Sequence, residues 1–213
     1  MRKWIVLGAV LAALVGLDSA AKAMAESQIE KKARLEAGAD ARASADIKSF
    51  PFLGKLLLSG NAGDITLSMK DVDGRQVRFS TLSIALADVH LDKAKLVTGK
   101  AEITSIRKGV ITVGLRAAEL EKVVRYPVRV SSGVVTVTVA GRHLTAKPVA
   151  AGGGNVRLEF QGAAAVTVPF PQTRLLNCPV SKVDVVEDEL RASCEVTQIP
   201  PALLRAASRV IGG

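Results

Sequence analysis

The sequence predicts an α+β fold in which a long, curved antiparallel sheet wraps around helices. Apolar and polar side chains alternate through most of the chain from Ile65 to Val196, as they do in half-buried strands. The predicted elements follow the order helix, strands, helix, strands, helix, which differs from the regular alternation of a βαβ repeat. A chain of 213 residues is also the size of one domain.

The N-terminus has the pattern of a secretory leader. Arg2 and Lys3 precede an uncharged apolar run, Trp4 to Leu17. That run is shorter than the roughly 20 residues that cross a bilayer, and it fits the apolar region of a signal peptide. We therefore expect the body of the protein to lie outside the cytoplasm, in the periplasm or cell envelope.

Two small-x-small cleavage sites follow the apolar run, Ala21-Lys22-Ala23 and Ala23-Met24-Ala25. They predict that residues 1–25 are a signal peptide. The alternative is an uncleaved N-terminal membrane anchor. In either case residues 26–213 are predicted to form a single domain.

The chain has two cysteines, Cys178 and Cys194. An exported protein with an even number of cysteines usually pairs them, so a disulfide is predicted. A metal site is the alternative, but His90 and His143 are the only histidines and neither lies beside a cysteine.

The first element after the leader is predicted to be a helix over residues 25–45. This segment is rich in alanine and charged residues and contains no proline. Glu30 and Arg34 are four residues apart in the order that stabilises a helix.

The next stretch is an apolar block around a proline. Asp46 to Phe50 reads as a short strand that Pro51 ends, because proline cannot donate to a strand ladder. An amphipathic turn follows, and Gly60 is placed as its C-cap. Four apolar side chains lie close together at helical spacing in this turn: Phe52, Leu53, Leu56 and Leu57. The block is interpreted either as a core plug or as a mobile apolar gate on a cavity or membrane surface.

Two further helices and a late hairpin complete the predicted elements. Residues 116–125 change to a helical period before Pro127. The strands Val180 to Val186 and Leu190 to Val196 enclose an acidic turn that is expected to be solvated. A short basic helix is predicted over residues 202–210, after two prolines.

The sequence contains no recognisable catalytic constellation. It has no Gly-x-Ser-x-Gly, His-Glu-x-x-His, P-loop or Gly-x-Gly-x-x-Gly motif. Calcium at Glu187-Asp188-Glu189 is disfavoured because the spacing is wrong for an EF-hand loop. We therefore predict a protein without enzymatic activity, cofactor or metal site.

The net charge of +9 favours anionic partners, either phospholipid headgroups or nucleic acid. Nucleic-acid binding is not expected, since the basic residues are dispersed and only 3% of the residues are aromatic. Small branched aliphatic residues instead suit an apolar surface for acyl chains.

The segment Asp46-Ile-Lys-Ser-Phe-Pro-Phe-Leu and the leucines before Gly60 resemble the LmeA family of bacterial, mostly actinobacterial, cell-envelope proteins. The two late cysteines and the Pro-Pro pair before the last helix extend the resemblance. The resemblance implies an exported phospholipid-binding protein without enzymatic activity. It also implies a fold similar to the tubular lipid-binding group, in which a curved sheet wraps a long helix and leaves an apolar groove.

The resulting hypothesis is that apolar residues of the proline block line or gate the groove, while Lys48 and Lys55 meet a lipid phosphate or an anionic membrane face. The candidate apolar residues are Phe50, Phe52, Leu53, Leu56 and Leu57. The predicted partners are a phospholipid or other anionic envelope lipid, a membrane surface and an envelope biosynthetic enzyme. A non-catalytic scaffold or accessory that binds a protein partner is the alternative function.

Overall fold

The computed structural model describes residues 2–38, 40–73, 77–98, 102–131, 133–152, 154–162, 164–170 and 178–197. The helices within these ranges are α1 (Arg2–Ala37), α2 (Phe52–Ser59), α3 (Lys93–Val97) and α4 (Ala117–Val124). The strands are β1 (Arg42–Lys48), β2 (Asn61–Asp73), β3 (Arg78–Leu91), β4 (Ile103–Ser105), β5 (Lys108–Arg116), β6 (Val128–Ser131), β7 (Val134–Val139), β8 (Arg142–Ala150), β9 (Asn155–Phe160), β10 (Val166–Pro169), β11 (Lys182–Val186) and β12 (Glu189–Val196).

The strands form two antiparallel sheets, and the prediction of an α+β fold is confirmed. Sheet A has seven strands in the order β1-β2-β3-β5-β12-β11, with β4 also paired to β3. Sheet B has five strands in the order β10-β9-β8-β7-β6. The sequence predicted one long sheet; its strands are instead divided between these two sheets, which remain open.

The first helix ends earlier than predicted. α1 stops at Ala37, and β1 begins at Arg42 within the segment assigned to the helix. Ala43 and Ala45 turn inward on β1 with Ile47, so packing against the core overrides the helical preference of alanine.

α1 also protects the outer edge of β1, which is the edge strand of sheet A. The carboxylates of Glu30 and Glu26 accept hydrogen bonds from the backbone N–H groups of Ala45 (2.9 Å) and Ile47 (2.8 Å). The predicted pair of Glu30 and Arg34 is present at 3.7 Å. The helix thus occupies the place of a further strand and prevents edge-to-edge pairing there.

The other predicted helix boundaries agree well with the structure. Gly60 ends α2 in the left-handed conformation, with φ 74°. α4 lies inside the predicted range 116–125, and its C-cap is Arg125, which adopts φ 62°. The predicted C-terminal helix, residues 202–210, lies outside the described residues.

The main core lies between the two sheets, with α4 contributing Leu120 and Val124. Sheet B supplies side chains that have almost no solvent exposure: Val135, Val137, Ala146, Val156, Leu158 and Val168.

The acidic turn after β11 is less solvated than predicted. Glu187 and Asp188 are exposed, but Glu189 belongs to β12 and is buried. Its carboxylate accepts hydrogen bonds from Thr81 Oγ1 (3.2 Å) and Arg191 Nε (3.1 Å). Thr81 on β3 and Arg191 on the same strand therefore hold the side chain of Glu189 in the sheet and away from the solvated turn. Within the part of the chain that is described, no helix is long and apolar enough to cross a membrane.

Candidate functional site: the apolar face of sheet A

Sheet A has one polar and one apolar face, which the strand register makes explicit. Side chains of directly paired residues lie on the same face of a sheet. One row across the sheet runs Ala45, Leu67, Ile84, Ile111 and Cys194. The rows on either side add Ala43, Met69, Leu82, Val113 and Ala192, and Ile47, Ile65, Leu86, Gly109 and Val196.

The opposite face is polar. Ser68, Ser83, Thr112 and Ser193 form a row there through successive pairs. The hydroxyls of Thr112 and Ser193 lie 3.0 Å apart and share a hydrogen bond. Only the other face can therefore offer a continuous surface to an acyl chain.

The centre of the apolar face is incompletely covered. We call its large aliphatic side chains on β2 and β3 the apolar strip; they are Ile65, Leu67, Leu82, Ile84 and Leu86. Each of them is only half-buried. Large aliphatic residues usually become fully buried in a finished core, so the strip has unused apolar surface in the middle of a sheet.

Packed structure borders the strip on both sides. On one side lies β1 with α1, whose Ala25, Ile29 and Ala33 pack against the core clusters. On the other side the predicted disulfide joins Cys178 and Cys194, with 5.9 Å between the Cα atoms. Both cysteines are buried against Ile111, Leu82 and Ile84. The strip therefore lies between helix α1 on one side and the disulfide on the other.

α2 packs over one end of the strip. Phe52 is only 5% exposed and belongs to a core cluster with Ile47, Ala62, Val89, Ile103 and Ile106. Leu53 and Leu56 are half-buried against the same cluster, which reaches Ile65 and Leu86 of the strip. The inward face of α2 therefore matches a core plug, and it adjoins the apolar strip directly.

The outward face of this block remains apolar. Phe50 is exposed, and Leu57 and Leu58 have exposed fractions of 67% and 83%. Lys48 and Lys55 are exposed beside them, and neither forms an ion pair with any residue in the described ranges. Apolar side chains flanked by unpaired lysines are typical of a surface that meets anionic lipid.

The seven residues predicted as the site thus divide into two groups around α2. Phe52, Leu53 and Leu56 face the core beside the strip. The other four are exposed to solvent: Lys48, Phe50, Lys55 and Leu57. Their roles in lipid binding stay a prediction.

α2 takes its N-terminal cap from another helix. Asp18 of α1 is buried, and its carboxylate accepts hydrogen bonds from the backbone N–H groups of Phe52 (2.9 Å) and Leu53 (2.7 Å). Pro51, the residue at the N-cap position, makes no side-chain cap of its own. The link fixes the start of α2 against α1.

The residues of the strip were predicted as strands but were not assigned to the site. Their alternation was visible in the sequence, as was the single carboxylate of Asp18 at the end of the apolar run. Neither pattern shows which strand side chains are left partly uncovered in the fold or which helix Asp18 caps.

In the residues that the structure describes, no group of three or more His, Cys, Asp and Glu side chains could hold a metal ion.

Comparison with known proteins gives one match. The family model described as LmeA-like phospholipid-binding matches residues 16–208, nearly the whole chain. No curated protein and no solved structure matches the chain. The matched range includes α2, both cysteines and the strands of both sheets, so the chain belongs to the LmeA-like phospholipid-binding family.

Proposed function

We propose that this protein is an exported, non-catalytic cell-envelope protein that holds phospholipid acyl chains on the apolar strip and supports the assembly or transport of envelope lipids or glycolipids. Membership of a phospholipid-binding family supports the lipid as ligand. The observation that carries the proposal is the strip itself, a row of half-buried large aliphatic side chains at the centre of a sheet.

The chemistry of the strip suits an acyl chain. Its side chains are aliphatic and come from two neighbouring strands, so their surface is smooth and has no exposed hydrogen-bonding group at its centre. Leu82 to Leu86 spans about 13 Å along β3, a substantial part of an extended acyl chain. Burying each CH₂ contributes about 0.8 kcal/mol, so one long chain contributes on the order of 10 kcal/mol before the costs of binding.

The charged end of the lipid would lie near α2. Lys55 is on α2, whose inward face contacts the end of the strip, and Lys48 follows the buried Ile47 on β1, where its side chain points to the other face of the sheet. A phosphate there would meet the ammonium group of Lys55, which has no carboxylate partner in the described structure. In this proposal the acyl chain lies on the strip and the headgroup lies at the exposed end.

The test is native mass spectrometry of the exported protein, followed by organic extraction and identification of the lipid. We expect about one phospholipid for each chain. Ile84→Asp should abolish this co-purification, because a bound acyl chain would remove water from a carboxylate at the centre of the strip. In the free protein the carboxylate still reaches water.

The matched control is Ser83→Asp, on the same strand but on the polar face, which should retain the lipid. Circular dichroism and Tm establish that both variants are folded. Equal loss of lipid in both variants, or none in either, would overturn the assignment to the strip. A folded parent protein that carries no lipid and binds no vesicles would instead favour the scaffold function with a protein partner.

A further inference from the structure

The segment with the pattern of a signal peptide is also part of the folded domain. Asp18 lies within residues 1–25, ahead of both predicted cleavage sites, yet it is only 7% exposed and caps α2. The backbone N–H groups at the start of a helix have no partner within that helix. Removing Asp18 would leave the N–H groups of Phe52 and Leu53 without these acceptors.

The contacts continue along the helix past the cleavage sites. Ala21 and Ala25 pack against the core cluster that contains Phe52 and Ile47. Lys22 Nζ lies 3.9 Å from Oδ1 of Asp46 on β1. Cleavage after Ala23 or Ala25 would remove Asp18, Ala21 and Lys22 together with their contacts. The cleaved form would therefore lack packing that the folded domain contains.

The same end of the molecule is apolar on its outside. Val15 and Leu17 are exposed on α1, and they end the uncharged run that begins at Trp4. Phe50, Leu57 and Leu58 are exposed around α2, the helix that Asp18 joins to α1. Two apolar elements are thus tied together at one end, beside the exposed Lys48 and Lys55.

We propose that α1 is retained after export and that it forms, with α2, the surface by which the mature protein is seated on a phospholipid bilayer. The partner is the bilayer because apolar side chains flanked by basic residues match the acyl region and the anionic headgroups. Asp18 is a positioning residue in this arrangement. The inference rests on contacts within the fold and does not depend on whether the strip holds a lipid.

The first experiment uses the full chain, exported in a bacterial host, with separation of membranes from the soluble fraction and intact-mass measurement. We expect the protein in the membrane fraction, with a mass that includes Asp18. A mature protein that begins at Met24 or Glu26 would overturn retention. Retained protein that is wholly in the soluble fraction would overturn the seating on the bilayer.

The second experiment compares Asp18→Ala with Ser19→Ala, its exposed neighbour, in the full chain. If Asp18 caps α2 in the mature protein, Asp18→Ala should lower Tm by about 2–4 °C or more, while Ser19→Ala should change it little. Asp18→Asn should fall between them, since its amide oxygen still accepts a hydrogen bond. Identical Tm values for all these proteins would overturn the proposal.

Discussion

Sheet B and the apolar strip of sheet A are built from the same kind of sequence but are covered differently. Both alternate aliphatic and polar residues, and both turn the aliphatic side chains to one side. Leu158 and Val156 of sheet B have no solvent exposure, whereas Leu67 and Ile84 of the strip are half-buried. The pattern determines which face is apolar, and the tertiary arrangement determines how completely that face is covered.

The difference has an energetic meaning. A side chain that is already surrounded has no further apolar area to offer a ligand, so substitution there affects folding. A half-buried side chain retains area that a ligand can cover. Substitutions in the core of sheet B should therefore lower stability most, and substitutions in the strip should weaken lipid binding most.

The largest effect is expected from placing a carboxylate in each region. Leu158→Asp buries a charge without a partner and should cost at least about 4 kcal/mol, which is enough to prevent stable folding. Leu67→Asp, which water can still reach, should cost less than about 2 kcal/mol and should remove bound phospholipid. Urea unfolding and lipid extraction measure the two effects. Similar destabilisation by both would mean that the strip is ordinary core.

A second pair of variants compares the two faces of α2. Phe52→Ala removes a buried side chain and should destabilise the protein by about 3–5 kcal/mol. Leu57→Ala, on the exposed face, should change stability by no more than about 0.5 kcal/mol and should weaken co-sedimentation with anionic vesicles. Thermal unfolding and sedimentation separate the two roles. If Leu57→Ala binds vesicles as well as the parent protein does, the outward face of α2 is not a membrane contact.

Local signals in the sequence were sufficient for several elements. Gly60 permits the left-handed conformation that ends α2, and the helical period of residues 117–124 is carried by Leu120 and Val124. The cysteine pair was predicted from the number of cysteines and the expectation of export. In each case the deciding interaction involves residues close in sequence or a single covalent partner.

The features that could not be predicted depend on partners distant in the chain. Asp18 caps a helix that begins 34 residues later, and Thr81 lies 108 residues from Glu189. The early end of α1 likewise reflects the pairing of β1 with β2, which no propensity records. Half-burial of the strip depends on everything that packs around it, so the alternation of Leu82, Ile84 and Leu86 could not assign it to the site.

The smallest expected effect concerns α4, which joins the covered core to sheet A. Burial alone would raise the pKa of Glu119, but the hydrogen bonds from Lys122 Nζ (2.6 Å) and the backbone N–H of Arg78 (2.9 Å) outweigh it and hold the pKa below its ordinary value. A lowered pKa in the folded state stabilises the protein above the ordinary value of 4.5, and this stabilisation is lost as the pH falls through the folded pKa. Glu119→Gln should therefore lower stability by about 1 kcal/mol at pH 7.

The difference between Glu119→Gln and the parent protein should disappear once the pH is below the folded pKa of Glu119, because the carboxyl group is then neutral in both states of the parent. Asp188→Asn, at the exposed turn, is the control and should show little difference at either pH. Urea unfolding across the acid range measures these differences. A difference that stayed constant with pH would mean that packing of the Glu119 side chain, and not its charge, stabilises the protein.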